Sequence, residues 1–221
     1  HGFVENPFRR DCEFYRDLYH NAKIVFLQHG VTKDDQSGWL NRYKNKLYAV
    51  VVSSTREKEE FLREEYGLKE ENIWLTGLPR FDDLYHDEKK QILIMPTWRK
   101  ELMHVEYGSA NNYSGWSANE GFAKSRYVRT YNKLLNSRIL KKICDRYGYT
   151  IAFAPHPLSK PYEDLFSVPK WVKQYSFHEP YKKIFAESDL MITDYSSVAF
   201  DFAFCCSCCA FRRACGCATA T

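Results

Sequence analysis

The stretch 188–202, SDLMITDYSSVAFDF, joins a short apolar run to a cluster of small hydroxyl residues and then to an apolar run of a different period. This pattern predicts a buried strand over Leu190 to Thr193 that passes directly into a helix beginning near Ser196 or Ser197. Backbone N–H groups are unpaired at a helix start, so such a junction can bind an anion such as a phosphate. Asp and Ser also cap helices in many proteins, and capping alone explains this stretch taken by itself.

The apolar residues after the junction are expected on or beside the buried side of that helix: Val198, Phe200, Phe202 and Phe204. Five earlier runs resemble the strand, being short, rich in β-branched or aromatic residues and ended by polar residues, Gly or Pro; they are residues 23–30, 47–54, 72–79, 91–98 and 149–157. Apolar runs without alternation are typical of strands that are covered on both faces, as in a parallel sheet.

Helical patterns lie between these runs. One covers 54–67 and stops at Gly67, and another covers 127–148, with Ile139 and Ile143 among its apolar positions and a stop at Gly148. Strands that alternate with helices predict an α/β fold with parallel sheets.

A polar stretch over 80–90 separates two groups of strands and predicts a domain boundary. We therefore expect the C-terminal part of one domain over 1–85 and most of a second domain over 86–204. Residues 100–124 are polar and aromatic without periodicity, which predicts a long loop. Loops of this length tend to be functional or mobile.

Chemically active side chains follow four of the predicted strands. His29 and Gly30 end the first strand, Thr97 and Arg99 follow the fourth, and His156 stands between two prolines after the fifth. The sixth strand ends in a further group: Thr193, Asp194, Ser196 and Ser197. Ligands of open α/β sheets bind beyond the carboxyl ends of the strands, so these residues together predict a site. Singly, each has another explanation: a surface histidine, a solvated cation, a histidine in a rigid turn or a helix cap.

Composition limits the classes of function. The formal net charge is +4, from 32 Lys and Arg against 28 Asp and Glu, which is too small to indicate nucleic-acid binding but suits an anionic substrate or a membrane surface. No apolar run reaches the roughly 20 residues that span a bilayer. No Asp-x-Asp pair stands at a predicted strand end, so we expect no obligatory metal.

The motifs QHGVTK, TGLPRFDDL, ILIMPTWR, FAPHP and SDLMITDYSSVAFDF, in this order, resemble the CDP-glycerol glycerophosphotransferase family of teichoic acid primases and polymerases. The resemblance extends from about residue 20 to 204. It implies a GT-B architecture with two Rossmann-like domains, both incomplete in this chain. It also implies transfer of glycerol phosphate, or a related polyol phosphate, from a CDP-alcohol to a wall or capsular polymer with release of CMP.

The resemblance further implies roles for particular residues. The two essential histidines of the family fall on His29 and His156, its diphosphate-binding serines on Ser196 and Ser197, and the arginine of its PTWR motif on Arg99. An imidazole with an unperturbed pKa of ~6.5 suits removal of the acceptor proton. We expect His29 to be the base and His156 to orient or protonate the phosphates; the reverse assignment fits the same residues.

The implied partners are CDP-glycerol or CDP-ribitol and a lipid-linked polyol-phosphate acceptor, with no cofactor and no nucleic acid. The implied location is cytoplasmic, peripheral on the inner face of the membrane. Two alternatives stay open: a nucleotide-sugar glycosyltransferase or epimerase of the same fold, and an inactive nucleotide-binding fragment.

Both ends of the chain raise separate expectations. Six of the eight cysteines lie in the last stretch, so the body of the chain suits a reducing compartment. Residues 205–221 depart from the family pattern, and we expect an aberrant tail that is not native family sequence; a zinc or cluster site is the other interpretation. Residues 8–23 have the pattern of an amphipathic helix, packed on a sheet or facing a membrane.

Overall fold

A computed structural model describes residues 22–87, 89–99, 102–105, 116–118 and 121–215. The chain separates into two compact units, His1–Asp82 and Asp83–Thr221. This division lies close to the boundary predicted after residue 85. Each unit has its own parallel sheet and its own core. The predicted amphipathic helix over 8–23 lies almost wholly outside the described residues.

The first unit has a three-stranded parallel sheet of order β1-β2-β3. Its strands are β1 (Ile24–Phe26), β2 (Leu47–Val52) and β3 (Ile73–Leu75), and its helices are α1 (Arg42–Asn45) and α2 (Thr55–Phe61). Short 3-10 turns cover Glu64–Tyr66, Glu70–Asn72 and Pro79–Phe81. The central strand β2 is buried on both faces from Ala49 to Val52, which explains why its sequence lacks alternation.

The second unit is built on a four-stranded parallel sheet of order β8-β7-β4-β9. Its strands are β4 (Gln91–Met95), β7 (Thr150–Phe153), β8 (Val172–Gln174) and β9 (Leu190–Thr193), and a separate antiparallel pair consists of β5 (Met103–Val105) and β6 (Trp116–Ala118). Its helices are α3 (Arg126–Leu135), α4 (Arg138–Tyr147), α5 (Tyr181–Ala186) and α6 (Val198–Cys215), with 3-10 turns over Pro157–Leu165.

Alternate residues of β4 face two different cores. Ile92 and Ile94 join a cluster with residues of α3 and α4, namely Tyr131, Leu135 and Cys144. Leu93 and Met95 join a second cluster with residues of α5 and α6, namely Ile184, Phe185, Phe202 and Cys205. Helices α3 and α4 therefore cover one face of the sheet, and α5 and α6 cover the other. The predicted α/β fold with parallel sheets is confirmed.

The prediction of one continuous helix over 127–148 was wrong, because a second helix begins after Ser137. Its hydroxyl oxygen accepts a hydrogen bond from the Leu140 backbone N–H at 3.2 Å, so α4 begins with its own cap. Ile139 and Ile143 belong to the exposed side of α4, and Gly148 ends this helix in the left-handed conformation.

Two other expectations need correction. Phe200 and Phe204 are exposed, and only Phe202 of the three is buried, because residues two apart point to opposite sides of a helix. Two short stretches of 100–124, Met103–Val105 and Trp116–Ala118, form the β5–β6 pair, so the prediction of a long loop was wrong for these residues.

Helix α6 continues past residue 204 to Cys215. Cys205 is buried in the second core, and its thiol donates a hydrogen bond to the Tyr85 carbonyl at 2.9 Å. Side chains beyond Cys206 and the whole of residues 216–221 lie outside what the structure describes, so the expectation of a tail foreign to the family stays a prediction. None of the helices in the described ranges combines the length with the apolar composition that a bilayer span requires.

Gly67 provides a test of the packing in the first unit. Its φ is +65°, and a Cβ placed there would lie 2.5 Å from the Tyr43 ring. We expect Gly67→Ala to lower the free energy of unfolding by about 1–2 kcal/mol, because a non-glycine residue is strained at positive φ. Gly38→Ala is the matched control, since a Cβ there has nothing within 4 Å. Equal denaturant midpoints for the two variants would contradict this account.

Candidate functional site

The predicted site residues divide between the two units. His29 and Gly30 follow β1 in the first unit. In the second unit Thr193 ends β9, and all the others follow β4, β7 or β9. Because β7, β4 and β9 are adjacent and parallel, their carboxyl ends share one edge of the sheet. That edge brings the second group of residues together.

His29 is held in an aromatic setting at the end of β1. Gln28 has a φ of +69°, a left-handed turn that redirects the chain just before the histidine. The His29 ring lies 5.3 Å from that of Phe26 and 6.2 Å from that of Trp39 between centroids, and the Arg80 guanidinium donates to the His29 carbonyl. Partial burial and the Arg80 charge lower the pKa of His29, so its imidazole is neutral at neutral pH and can accept a proton.

Glu57 anchors the loop that carries His29 and Gly30. The residue is 4% exposed, and its carboxylate accepts hydrogen bonds from the Thr32 backbone N–H at 2.6 Å, from the Ser53 backbone N–H at 2.7 Å and from the Ser53 hydroxyl. The loop after β1 is thereby tied to the end of β2. Sequence reasoning missed this residue, although Ser54 and Glu57 have the spacing of a capping box.

Asp194 organises the shared edge of the second sheet. Its carboxylate accepts a hydrogen bond from the Thr97 backbone N–H at 2.9 Å and forms an ion pair with the Arg99 guanidinium. Burial favours the neutral acid, but hydrogen bonds from Thr97, the Arg99 charge and a hydrogen bond with Tyr131 outweigh it, so the pKa of Asp194 lies below its ordinary value. The prediction that Thr97, Arg99 and Asp194 all contact substrate therefore needs one addition: they are already bonded to one another.

The hydroxyl residues of the stretch 188–202 make different hydrogen bonds. The Thr193 hydroxyl donates to the Met95 carbonyl at 2.6 Å, so its proton is engaged in a hydrogen bond between the neighbouring strands β9 and β4. The Ser196 hydroxyl oxygen accepts from the Val198 backbone N–H at 3.4 Å and caps the start of α6. Ser197 is the last residue before α6. The cap that sequence alone predicted is thus present, and the amides of this turn lie at the shared edge of the sheet.

His156 is part-buried between β7 and a 3-10 turn. Its ring centroid lies 6.0 Å from that of Trp98, and its carbonyl accepts from the Ser159 backbone N–H at 2.7 Å. Burial lowers the pKa of His156 to about 4. The imidazole is therefore neutral at pH 7 and can donate one hydrogen bond to a phosphate, whereas donating a proton requires an anion nearby that raises its pKa.

A cavity of about 420 Å³ adjoins the Arg99–Asp194 pair. Its walls include Arg99, Arg126, Tyr127, Thr130, Tyr131 and Asp194. The Arg99 guanidinium lies 5.4 Å from the centre of the Tyr127 ring. Sequence reasoning assigned no function to the two tyrosines, because apolar and aromatic residues four apart on a helix are usually core. Burial raises the pKa of both, so they stay protonated and can serve as hydrogen-bond donors.

Comparison with known proteins places the chain in one family. Residues 19–205 match the family described as CDP-Glycerol:Poly(glycerophosphate) glycerophosphotransferase. The chain is 38% identical over 203 residues to the minor teichoic acid biosynthesis protein GgaB of Bacillus subtilis (strain 168), covering 91% of this chain and 22% of that protein. It is 25% identical over 189 residues to the teichoic acid ribitol-phosphate polymerase TarK of Staphylococcus aureus (strain NCTC 8325 / PS 47), covering 83% of this chain and 36% of that one.

A solved structure of the wall teichoic acid polymerase TagF matches with a TM-score of 0.51 and 20% identity, over 84% of this chain and 48% of that chain. At this identity the match supports the fold, which is of the predicted GT-B type. The chain spans roughly a fifth to a third of the length of the two curated relatives above.

The low pKa of His156 predicts a dependence of stability on pH. The unfolded histidine binds a proton near pH 6.5 and the folded one near pH 4. The contribution of neutral His156 to the free energy of unfolding is therefore fully present above about pH 6.5 and is lost as the pH falls toward 4. We expect this loss to be about 1–3 kcal/mol, allowing for solvent screening of a group that is only part-buried. Denaturant titrations at pH 7 and pH 4.5 should therefore differ less for His156→Gln than for the wild type.

The exposed His178 of the same unit provides the control for that measurement. His178→Gln should leave the pH dependence of the unfolding free energy unchanged. If His156→Gln and the wild type lose the same stability between these two pH values, burial does not hold this imidazole neutral.

Proposed function

The chain belongs to the CDP-glycerol:poly(glycerophosphate) glycerophosphotransferase family, and we propose that it forms part of an enzyme that transfers glycerol phosphate, or a related polyol phosphate, to a teichoic acid polymer. The donor is a CDP-activated polyol, and CMP is released. The observation that carries this proposal is the shared edge of the second sheet, where His156, the Arg99–Asp194 pair and the start of α6 come together at three adjacent strand ends.

In this reaction an acceptor hydroxyl attacks the β-phosphorus of the donor. A new bond forms between the acceptor oxygen and the β-phosphorus, and the bond between the β-phosphorus and the bridging oxygen breaks. CMP leaves with the bridging oxygen and the electron pair of the broken bond. The acceptor proton must be removed as its oxygen bonds. A neutral imidazole at the end of a strand is suited to this task.

The two histidines are not equivalent candidates for the base. Both have lowered pKa values, but that of His156 falls to about 4, which makes His156 a weak base at neutral pH. His29 is exposed, and its pKa is lowered by less complete burial and by Arg80. These differences favour His29 as the base and His156 as the group that orients the donor phosphates.

The charge that develops on CMP needs stabilisation. The backbone amides of the turn before α6 and the hydroxyls of Ser196 and Ser197 offer hydrogen-bond donors, and Arg99 offers a cation. Arg99 is paired with Asp194, which fixes its position and offsets its charge before the donor binds. An arriving diphosphate then competes with Asp194 for the guanidinium.

Several finer points belong to this proposal. The donor is CDP-glycerol or CDP-ribitol, the acceptor is a lipid-linked polyol-phosphate chain, and the enzyme acts from the cytoplasmic side as a peripheral protein. Proteins named for ribitol phosphate are among the relatives, so family membership alone does not select the polyol.

Removal of either histidine tests the mechanism. In the full-length protein, His29→Ala and His156→Ala should each lower CMP release from CDP-glycerol by about 10²–10⁴-fold, the usual contribution of general acid–base catalysis. His178→Ala is the matched control and should keep wild-type turnover, because this histidine is exposed and lies outside the site. Turnover within tenfold of wild type in both histidine variants, with circular dichroism unchanged, would eliminate the proposed roles.

The serines can be tested for ligand binding apart from capping. We expect Ser196→Ala/Ser197→Ala to weaken CDP-glycerol binding by roughly tenfold in calorimetric titration, the effect of about one lost hydrogen bond to a charged group. Ser137→Ala is the control, because it removes a helix cap from α4 at a similar cost of about 1 kcal/mol in stability. If both variants bind the donor as the wild type does, the serines act only as caps. Parallel titrations with CDP-ribitol compare the two donors.

A further inference from the structure

The two helices on one face of the second sheet carry a concentration of positive charge. Residues 126–147 contain seven Lys and Arg and a single acidic residue, Asp145, whereas the whole chain has a net charge of only +4. The rest of the chain is therefore slightly negative. Both helices pack inward through Tyr131, Leu135 and Cys144, so their charged residues lie on the outer side.

Helix α4 also has an exposed apolar row. Ile139, Ile143 and Tyr147 are 73%, 50% and 60% exposed, and they are four residues apart, so they lie along one side of the helix over successive turns. The buried side of α4 is formed by other residues, Leu140 and Cys144. Single exposed apolar residues are common, but a continuous row of large ones indicates an interaction surface.

Cations flank this row at every turn. Arg138, Lys142 and Arg146 each precede one of the apolar residues, all three are exposed, and none forms an ion pair with another described residue. Asp145 is already paired with Lys141 at 2.6 Å. The Arg146 guanidinium lies 5.7 Å from the centre of the Tyr147 ring, next to the apolar row. We call these six residues the α4 ridge: Arg138, Ile139, Lys142, Ile143, Arg146 and Tyr147.

We propose that the α4 ridge binds the surface of an anionic phospholipid bilayer. A helix that lies flat on such a surface places its apolar side chains at the boundary of headgroups and acyl chains and its cations among the lipid phosphates. The ten residues of α4 span about 15 Å, which provides three turns of contact.

The chemistry of the ridge favours lipid over other occupants. A soluble polyanion would be attracted by the cations but would gain little from two isoleucines. A second copy of the same ridge would bring like charges together, which disfavours a symmetric dimer. A surface that is both anionic and apolar beneath satisfies both rows of side chains.

Vesicle co-sedimentation of the full-length protein tests the proposal. Vesicles of phosphatidylcholine with phosphatidylglycerol should bind the protein, vesicles of phosphatidylcholine alone should bind it at least about tenfold more weakly, and added salt should reduce binding. Lys142→Gln/Arg146→Gln should weaken binding by roughly fivefold for each cation removed. Ile139→Gln/Ile143→Gln should weaken it about tenfold, because two side chains no longer enter the acyl boundary.

Matched controls use the same chemistry elsewhere. Leu62→Gln removes an exposed apolar side chain from the first unit, and Lys182→Gln/Lys183→Gln removes two cations from α5 on the other face of the sheet; both should bind vesicles as the wild type does. Circular dichroism and the thermal midpoint establish that each variant is folded.

Wild-type vesicle binding by the folded ridge variants would overturn the proposal. So would a result in which only the cation variant loses binding and the same loss appears with soluble polyphosphate, because the ridge would then be a site for polyanions. A failure of the transfer reaction is separable, since vesicle binding is measured without CDP-glycerol. Conversely, CMP release with a soluble acceptor analogue should be unchanged in the ridge variants.

Discussion

The position of β4 between β7 and β9 is the constraint on which the second unit depends. Because all three strands are parallel and in register, their carboxyl ends meet, and each contributes one polar segment to the same edge. The strand itself is buried on both faces, with its alternate residues in two separate cores. The packing that holds β4 in place therefore also fixes the spacing of the segments containing Arg99, His156 and Asp194.

At that edge, Asp194 fixes the position of the neighbouring Arg99 side chain. An arginine at a strand end has many rotamers, and an unpaired one would have to be ordered when a ligand binds. The carboxylate holds the Arg99 guanidinium and the Thr97 backbone at once, so this ordering is already complete. The negative charge of Asp194 also weakens the attraction of Arg99 for an anion. The ion pair therefore improves the placement of the guanidinium at a cost in affinity for the anion.

Sequence alone predicted the strands that carry the site, because each is a short apolar run ended by polar residues. Burial on both faces explains that pattern for β4, whereas in β9 Leu190 is exposed and the other residues are part-buried. It missed β8 (Val172–Gln174), because Lys173 and Gln174 are exposed and only Val172 is buried. It joined α3 to α4 because Ser137 looks like an ordinary helical residue until its cap is seen. Partnerships such as Glu57 with Thr32, or Asp194 with Tyr131, join residues far apart in the chain, and no local pattern encodes which of many carboxylates will meet which donor.

The distribution of charge could have been predicted from the sequence, but the net charge of the whole chain conceals it. A net charge of +4 over 221 residues suggests little, yet the segment 126–147 holds seven cations against one acid. Whether such a segment faces outward depends on the residues between the charges. Ile139 and Ile143 fit the buried side of a helix by spacing alone, and the cap at Ser137 starts α4 so that Leu140 and Cys144 take the buried positions. The same local cap that corrects the helix boundary therefore determines which apolar residues meet the solvent beside the cations.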